Sequence, residues 1–427
     1  MKNISPRRLL QGAALAALIS WAGPARAGGD QERSPHHEER AEKTLYIWAG
    51  DAERLRPDFL AVIDFDERSP HYGRVLRTVP IPPPGNVGNE PHHCHLSSDK
   101  TILACGGLLS VLRDQNGIFF FDVSKARHPE FLFSTRAPNS SITDDFLPLP
   151  AGGFLITQMG SATGAAPGRV AEFDRHLRFL AEYPSSPPND GFNPHGISAR
   201  FDLDLMVTSD FINPASTLNV WPGPVELRGA LRFWSLSRRE ITRTVFLPEA
   251  AGSMDVKLIP GDPHGRAVTA NMFTGLVYTV DPTDGSVVQS FDCETIVPHI
   301  ETPVEGGMVQ LLATPGSGDR LIFASFQAGQ VGLLDISDRN AFSQLSIVNL
   351  GLGAGPHDID LTEDDSRLVV TDYFLDEDDF GRIHFDGDRR VHVIQVTHDG
   401  LALDPRFDLD FNTAFEHPAR PHGIAMK

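Results

Sequence analysis

The chain has 427 residues, with 37 Lys and Arg against 56 Asp and Glu, a formal net charge of −19. Leaving out the first 27 residues, which hold Lys2, Arg7, Arg8 and Arg26 and no acid, the balance is 33 against 56, or −23. A surface that acidic repels phosphate backbones and anionic lipid, so nucleic acid and membrane surfaces are poor partners. Hydrophobic residues at 41% speak against wholesale disorder, 38 Gly and 33 Pro suit a fold of many tight turns, and three Cys allow one disulfide at most.

Residues 1–27 read as an export signal, with a basic stretch around Ser5-Pro6-Arg7-Arg8-Leu9-Leu10, an apolar run from Ala13 to Trp21, and Ala25-Arg26-Ala27 as cleavage pattern. The Arg7-Arg8 pair resembles a twin-arginine signal, and the general secretory route is the alternative. The apolar run is too short and too broken to span a bilayer. The mature protein is expected to be periplasmic or secreted, without a membrane partner after cleavage. Residues 28–42 are polar and unpatterned and read as a flexible lead-in, leaving 43–427 as one domain.

From residue 43 onward, short runs rich in Val, Ile, Leu, Phe and Thr alternate with turn residues every 8–12 positions, as in an all-β sandwich, barrel or propeller. A repeat decides among these. The stretch from Pro91 to Leu103 aligns without gaps on Pro356 to Leu368, and a third copy starts at Pro194-His195-Gly196-Ile197. Weaker copies start near Ile142, Met254 and Met308. Each is followed by two further strands, such as Gly117–Val123, Leu276–Asp281 and Val331–Ile336, and four strands per unit make a propeller blade. The seventh unit is split. Leu45–Asp51 resembles a second strand with no first strand before it, while Pro421-His422-Gly423-Ile424 repeats the start of an inner strand. The expectation is a seven-bladed all-β propeller, closed by the C-terminal strand pairing into the first blade, which removes both free edges.

Four units carry His directly after Pro at the start of the inner strand: His92, His195, His357 and His422. Inner-strand starts line the axis of a propeller, and imidazoles converging there suit a transition metal; the residue types admit copper, iron or another such ion. The competing reading is a Pro-His motif that merely shapes the strand. His93 and His95 flank this set as further ligands or hydrogen-bonding neighbours. In units without His, the same zone offers Asp144, Asp145, Asp255 and Gln310 to hold imidazole N–H groups. His299 and Glu301 are placed to reach the channel mouth. Cys94 points away from His93 and His95 along the strand and reads either as a soft ligand or as a buried structural residue. His264 sits in a hairpin turn, and His71, His128, His176, His384, His392, His398 and His417 have no recurring register, so all eight read as surface residues.

The chain resembles the selenium-binding protein and methanethiol oxidase family of seven-bladed propellers. The likeness rests on His92-His93 at the start of the second blade, on the hairpin Gly152-Gly153-Phe154-Leu155-Ile156-Thr157 with Gly160 and Gly168, on the order of blades, and on His422 in the closing strand. It departs where the family's His-His-Ser-Gly-Trp-Asn-Ala-Cys stands here as His92-His93-Cys94-His95-Leu96-Ser97, and where Phe146-Leu147-Pro148-Leu149 replaces a hairpin histidine. His357, in turn, stands where those proteins commonly have another residue. The resemblance implies an exported copper enzyme that oxidises a small thiol with O₂ to aldehyde, sulfide and peroxide. Two other classes fit the repeat: a propeller that binds selenium, a small molecule or a protein without catalysis, and a lactonase-like hydrolase using Asp144, Asp255 and a hard cation.

Overall fold

The computed structural model describes residues 42–217, 225–293, 309–377 and 383–427. The expected export signal and nearly all of the lead-in lie outside these residues, as do His299, Glu301 and Met308. Glu42, the last lead-in position, is buried, and its Oε1 accepts the Glu363 N–H at 3.0 Å.

Seven antiparallel sheets stand around an axis as blades. Blade 1 is composite: Thr44–Asp51, Phe59–Asp64 and Val75–Pro80 supply three strands, and the chain's end, Ala419–Met426, is its inner strand. Tyr46 pairs with Ala425 and Ile47 with Ile424, so the ring closes as the split repeat requires. The other inner strands are Pro91–Leu96, Ser140–Pro148, Pro194–Arg200, Ser253–Leu258, Val309–Ala313 and Pro356–Leu361, opening blades 2 to 7 in that order. Blade 7 carries an excursion between its second strand, Arg367–Asp372, and its third, Arg390–Thr397; it includes the hairpin Phe374–Glu377 with Ile383–Asp386.

The strands form where β-branched and aromatic residues cluster, and their burial follows distance from the axis. In blade 2 the third strand, Ile118–Asp122, is buried except at its last residue, whereas the outermost, Glu130–Thr135, has no buried residue. The first two strands are joined by turns that recur in detail. In blade 2, Asp99 Oδ1 accepts the Thr101 N–H and Lys100 has φ +55°; in blade 7, Asp364 Oδ1 accepts the Ser366 N–H and Asp365 has φ +55°. Those residues are aligned in the sequence repeat, so a short acidic side chain closing its own turn accounts for it.

Each pair of neighbouring blades shares one apolar cluster. Leu45, Ile47 and Ile63 meet Val369 and Val393 between blades 1 and 7, and Leu311 and Val331 meet Ile359 and Val370 between blades 6 and 7. Each large aliphatic or aromatic side chain so buried contributes about 1.5–3 kcal/mol, enough for face-to-face packing to hold the ring. No helix among the described residues is long and apolar enough to cross a membrane.

Candidate metal centre

All seven inner strands break ladder register at the same place. The shift lies between Pro91 and Cys94, Thr143 and Phe146, Pro194 and Ile197, Ser253 and Val256, Val309 and Leu312, Pro356 and Asp358, and beside Pro421 and Ile424. A bulge takes its extra residue out of the ladder and re-aims the side chain. The residues that fall in these gaps are His92 and His93, Asp144 and Asp145, His195 and Gly196, Met254 and Asp255, Gln310 and Leu311, His357, and His422 and Gly423, so the histidines leave the ladder at one shared level.

The blade behind then fixes each strand. Thr157 of blade 3 donates to the His195 carbonyl at 2.6 Å, and Thr371 of blade 7 donates to the His422 carbonyl at 2.9 Å. One step on, carboxylates of the same blades accept backbone N–H groups: Ile197 to Asp145 Oδ2 at 3.2 Å and Ile424 to Asp358 Oδ2 at 3.1 Å. Asp255 receives Leu312 N–H at 2.9 Å in the same way. In blades 4 and 1 the neighbouring strand approaches so closely that the residue after His must be small. A Cβ on Gly423 would lie 2.2 Å from the His92 carbonyl oxygen, and one on Gly196 would lie 2.7 Å from Asp255 Oδ1. This explains the recurring Pro-His-Gly-Ile.

The result is a buried tier of imidazoles. His92 stacks on His93 with ring centroids 4.1 Å apart, His422 lies 4.3 Å from His92 and 4.6 Å from His357, and His195 lies 5.7 Å from His93. One nitrogen each of His92, His93, His357 and His422 falls within 4.8 Å of the others, and His92, Asp144 and His195 form a second such group sharing His92. Asp144 Oδ1 is 3.5 Å from His92 Nε2, 3.3 Å from His93 Nδ1 and 3.2 Å from His195 Nε2.

Burial, with the charge of neighbouring imidazoles, holds His357 and His422 well below the ordinary histidine range; burial likewise takes His195 down to about 3, and His92 is lowered too. His93 goes the other way: burial pulls it down, but the carboxylates of Asp144 and Asp358 carry it up to about 9. Burial alone would raise Asp144, yet the imidazoles around it keep it well below the usual carboxylate range. Neutral imidazoles beside one buried carboxylate are a donor set for a cation. Both nitrogens of His92 and of His422, Nε2 of His93, Nδ1 of His195 and both oxygens of Asp144 are buried without a hydrogen-bond partner. Buried polar atoms are ordinarily satisfied, so this convergence fits a metal ion, and the cluster can hold one.

Residues 29–427 match the family described as the 56kDa selenium binding protein, SBP56. The chain belongs to that family. It is 22% identical to a methanethiol oxidase of Rattus norvegicus, over 86% of this chain and 89% of that protein. It is also 22% identical to selenium-binding protein 2 of Arabidopsis thaliana, over 89% of each. A hypothetical selenium-binding protein from Sulfolobus tokodaii shares the fold, with a TM-score of 0.73 at 16% identity over 91% of this chain and 94% of that one.

Within this SBP56 chain, His92, His93, His195, His357 and His422 come together. His95 does not join them; its side chain is 44% exposed, 3.9 Å from Asp145. Gln310 holds His357 as the sequence suggested, with Oε1 2.9 Å from Nδ1, and since that oxygen only accepts, Nδ1 carries the proton and Nε2 the lone pair. Asp144 faces the imidazoles directly, whereas Asp145, Asp255 and Asp358 hold backbone. Cys94 is no ligand: it is disulfide-bonded to Cys105, its register partner across the hairpin, and Cys293 is buried and free. His392 is not a surface residue; its side chain is 13% exposed and lies 2.8 Å from Asp372. His264 is 58% exposed at its turn, as expected. Nothing in the sequence singles out Thr157 and Thr371, whose role appears only once the neighbouring blade sets a carbonyl against each hydroxyl.

One face of the tier opens on a cavity of about 370 Å³ that His93 and His195 line together with His95, Asp145, Lys257 and Asp360. Elsewhere the tier meets aromatic rings, Phe211 at 5.1 Å from the His195 ring and Tyr373 at 5.9 Å from that of His422, and Phe211 belongs to a buried apolar cluster with Leu109, Met159, Met254 and Phe326.

Proposed function

We propose that this protein is an exported, metal-dependent oxidoreductase that oxidises a small thiol, with copper held at the propeller axis. The observation that carries the reading is the buried cluster in which one nitrogen each of His92, His93, His357 and His422 lies within 4.8 Å of the others, beside a group of His92, Asp144 and His195, with many of these polar atoms lacking hydrogen-bond partners. His92, His93, His357 and His422 would hold the ion, with His195 and Asp144 beside them. Bound copper would supply a soft centre that prefers thiolate sulfur and exchanges electrons with O₂. The curated relatives named methanethiol oxidase, at 22% identity, support a thiol as the substrate.

The chain's own residues prepare the site. Gln310 accepts the Nδ1 proton of His357 in a hydrogen bond, which leaves the lone pair on Nε2. Asp144 orients three imidazoles and supplies a negative charge that offsets part of a cation's. The Asp144 and Asp358 carboxylates raise His93 against the effect of its burial, so a metal ion held by its nitrogen would compete with a proton there. The cavity beside His93 and His195 admits a small molecule, and the buried apolar cluster of Phe211 keeps water from the tier where the two meet. The balanced reaction takes one thiol, one O₂ and one water to one aldehyde, one sulfide and one peroxide. An extracytoplasmic location is supported by the Arg7-Arg8 signal and by the Cys94–Cys105 disulfide, which persists in oxidising compartments.

The test is elemental analysis of the protein recovered from the periplasm, followed by oxygen uptake with methanethiol. About one copper per axial site and equal yields of formaldehyde, sulfide and peroxide are expected. Folded protein that takes up no transition metal after copper loading would overturn the reading in favour of a binding propeller.

A further inference from the structure

Asp372 is the register partner of Pro356 in blade 7, and Asp210 is the register partner of Pro194 in blade 4, so the two aspartates are equivalent. On the adjoining third strands His392 faces Val370 and Arg232 faces Thr208, each two positions before the aspartate, so these are equivalent as well. A second carboxylate completes each group: Asp388 in blade 7 and Asp190 in blade 4.

The two groups differ in what joins the acids. In blade 4 the guanidinium does so, with Arg232 Nε donating to Asp210 at 2.8 Å and Nη2 to Asp190 at 2.9 Å. The Asn193 N–H adds a further donor to Asp210 at 3.1 Å. In blade 7 the imidazole of His392 stands in that place instead of a guanidinium. Asp372 is fully buried, and neither of its oxygens receives a hydrogen bond. His392 Nε2 lies 2.8 Å from Asp372 Oδ2 but off hydrogen-bond geometry, and it too is buried without a hydrogen-bond partner. Asp388 accepts the Arg390 N–H at 2.9 Å through Oδ1. One donor atom from each of Asp372, Asp388 and His392 lies within 4.8 Å of the other two. Where blade 4 has a guanidinium between two carboxylates, blade 7 has two carboxylates and an imidazole whose donor atoms gather within 4.8 Å of one another.

We propose that Asp372, Asp388 and His392 form a second metal site, separate from the axial tier, that takes Zn²⁺. One imidazole and two carboxylates are ordinary zinc donors, and three protein ligands leave a position for water. The ion stands in for the guanidinium of Arg232. Its role is structural. Asp372 ends the second strand of blade 7 and Asp388 lies just before the third, so a shared ion ties these two strand ends together. The tie also steadies the strand end from which Thr371 holds the His422 carbonyl.

Zinc titration of the full chain by calorimetry, with elemental analysis after gel filtration, tests this on two variants. Asp388→Asn removes a ligand at a half-buried position. His392→Arg rebuilds the blade 4 arrangement and supplies the cation from the chain itself. Each variant is expected to hold one zinc per chain fewer than the natural sequence, or to hold that equivalent at least tenfold more weakly. His422→Ala should keep the equivalent that Asp388→Asn loses. Zinc binding unchanged in Asp388→Asn would overturn the proposal, and so would loss of the same equivalent in His422→Ala, which would assign it to the axial tier. If His392→Arg fails to fold, Asp388→Asn decides by the same criterion. Zinc should also raise the melting temperature of the natural protein by more than that of Asp388→Asn, and an equal rise in both would overturn the proposal.

Discussion

The same four residues, Pro-His-Gly-Ile, open the inner strand of blade 4 at Pro194 and that of blade 1 at Pro421, and the surroundings agree closely. Both histidines are buried, both carbonyls accept a threonine hydroxyl from the blade behind, and both isoleucine N–H groups reach an aspartate there. The difference is covalent. In blade 4 the strand runs on into its partner, Leu205–Ile212, through a short turn. In blade 1 the strand is the end of the chain and is docked by the ladder to Thr44–Asp51, by Lys427 N–H to the Thr44 carbonyl at 2.8 Å, and by Lys427 Nζ to the carbonyls of Lys100 and Val123 at 2.6 and 2.8 Å. Where the strand is continuous, supplying a histidine and building the blade are separate matters. Where it is docked, one event closes the ring and completes the metal cluster.

Deleting residues 421–427 should therefore have the largest effect. It strips the partner from a strand whose Leu45, Tyr46, Ile47 and Trp48 are fully buried and opens sheet edges that the ring otherwise pairs. The truncated chain should appear in the insoluble fraction or aggregate on gel filtration; a soluble, monodisperse truncation with the melting temperature of the full chain would break the closure argument. The point changes come next. His422→Ala and His195→Ala both leave backbone pairing in place, and each should weaken metal binding at least tenfold, about 1.4 kcal/mol or more. His422 should cost more, because its ring lies 4.3 Å from His92 and 4.6 Å from His357, while His195 stands 5.7 Å from His93 and against Asp144. Metal titration of both variants checks the order. Full occupancy in His422→Ala would refute the axial assignment, and His264→Ala, at an exposed turn, is the control that should change nothing.

What could be read from residues alone follows the same division between repeated identity and repeated geometry. His92, His195, His357 and His422 were legible because Pro-His recurs at one register, and the closing strand because its copy of that register had no blade of its own. Gln310 and Asp144 were legible as polar residues standing where other blades have histidine. The bulge was not, since it is a property of pairing between two strands and leaves no mark in either. Thr157 and Thr371 look like ordinary strand formers until the neighbouring blade places a carbonyl against them. Cys94 and Cys105 are 11 apart in sequence, and only the register of the hairpin makes them opposite. His392 was passed over because its counterpart in blade 4 is Arg232, so comparing like residues with like could not find it.

The smallest effect separates a docked strand from a continuous one most finely. Thr371→Val and Thr157→Val keep side-chain shape and remove one hydroxyl donor from a histidine carbonyl, a loss of about 1 kcal/mol each. Thr157 also accepts the Asp145 N–H at 2.9 Å, so its variant leaves a second buried group unpaired and should melt lower than Thr371→Val. Hydrogen exchange should rank them differently. The strand Ala419–Met426 ends at the chain terminus and can lift off by itself, so weakening its dock by about 1 kcal/mol raises the opened population roughly fivefold. In Thr371→Val the amides of Ile424 and Ala425 should then exchange about fivefold faster while the other blades keep their protection. The strand Pro194–Arg200 cannot leave without opening its hairpin, so in Thr157→Val any loss of protection should spread over blade 4 and follow the drop in melting temperature. Faster exchange spread evenly over both blades in Thr371→Val would mean that the closing strand does not open as a unit of its own, and that docked and continuous strands hold their histidines alike.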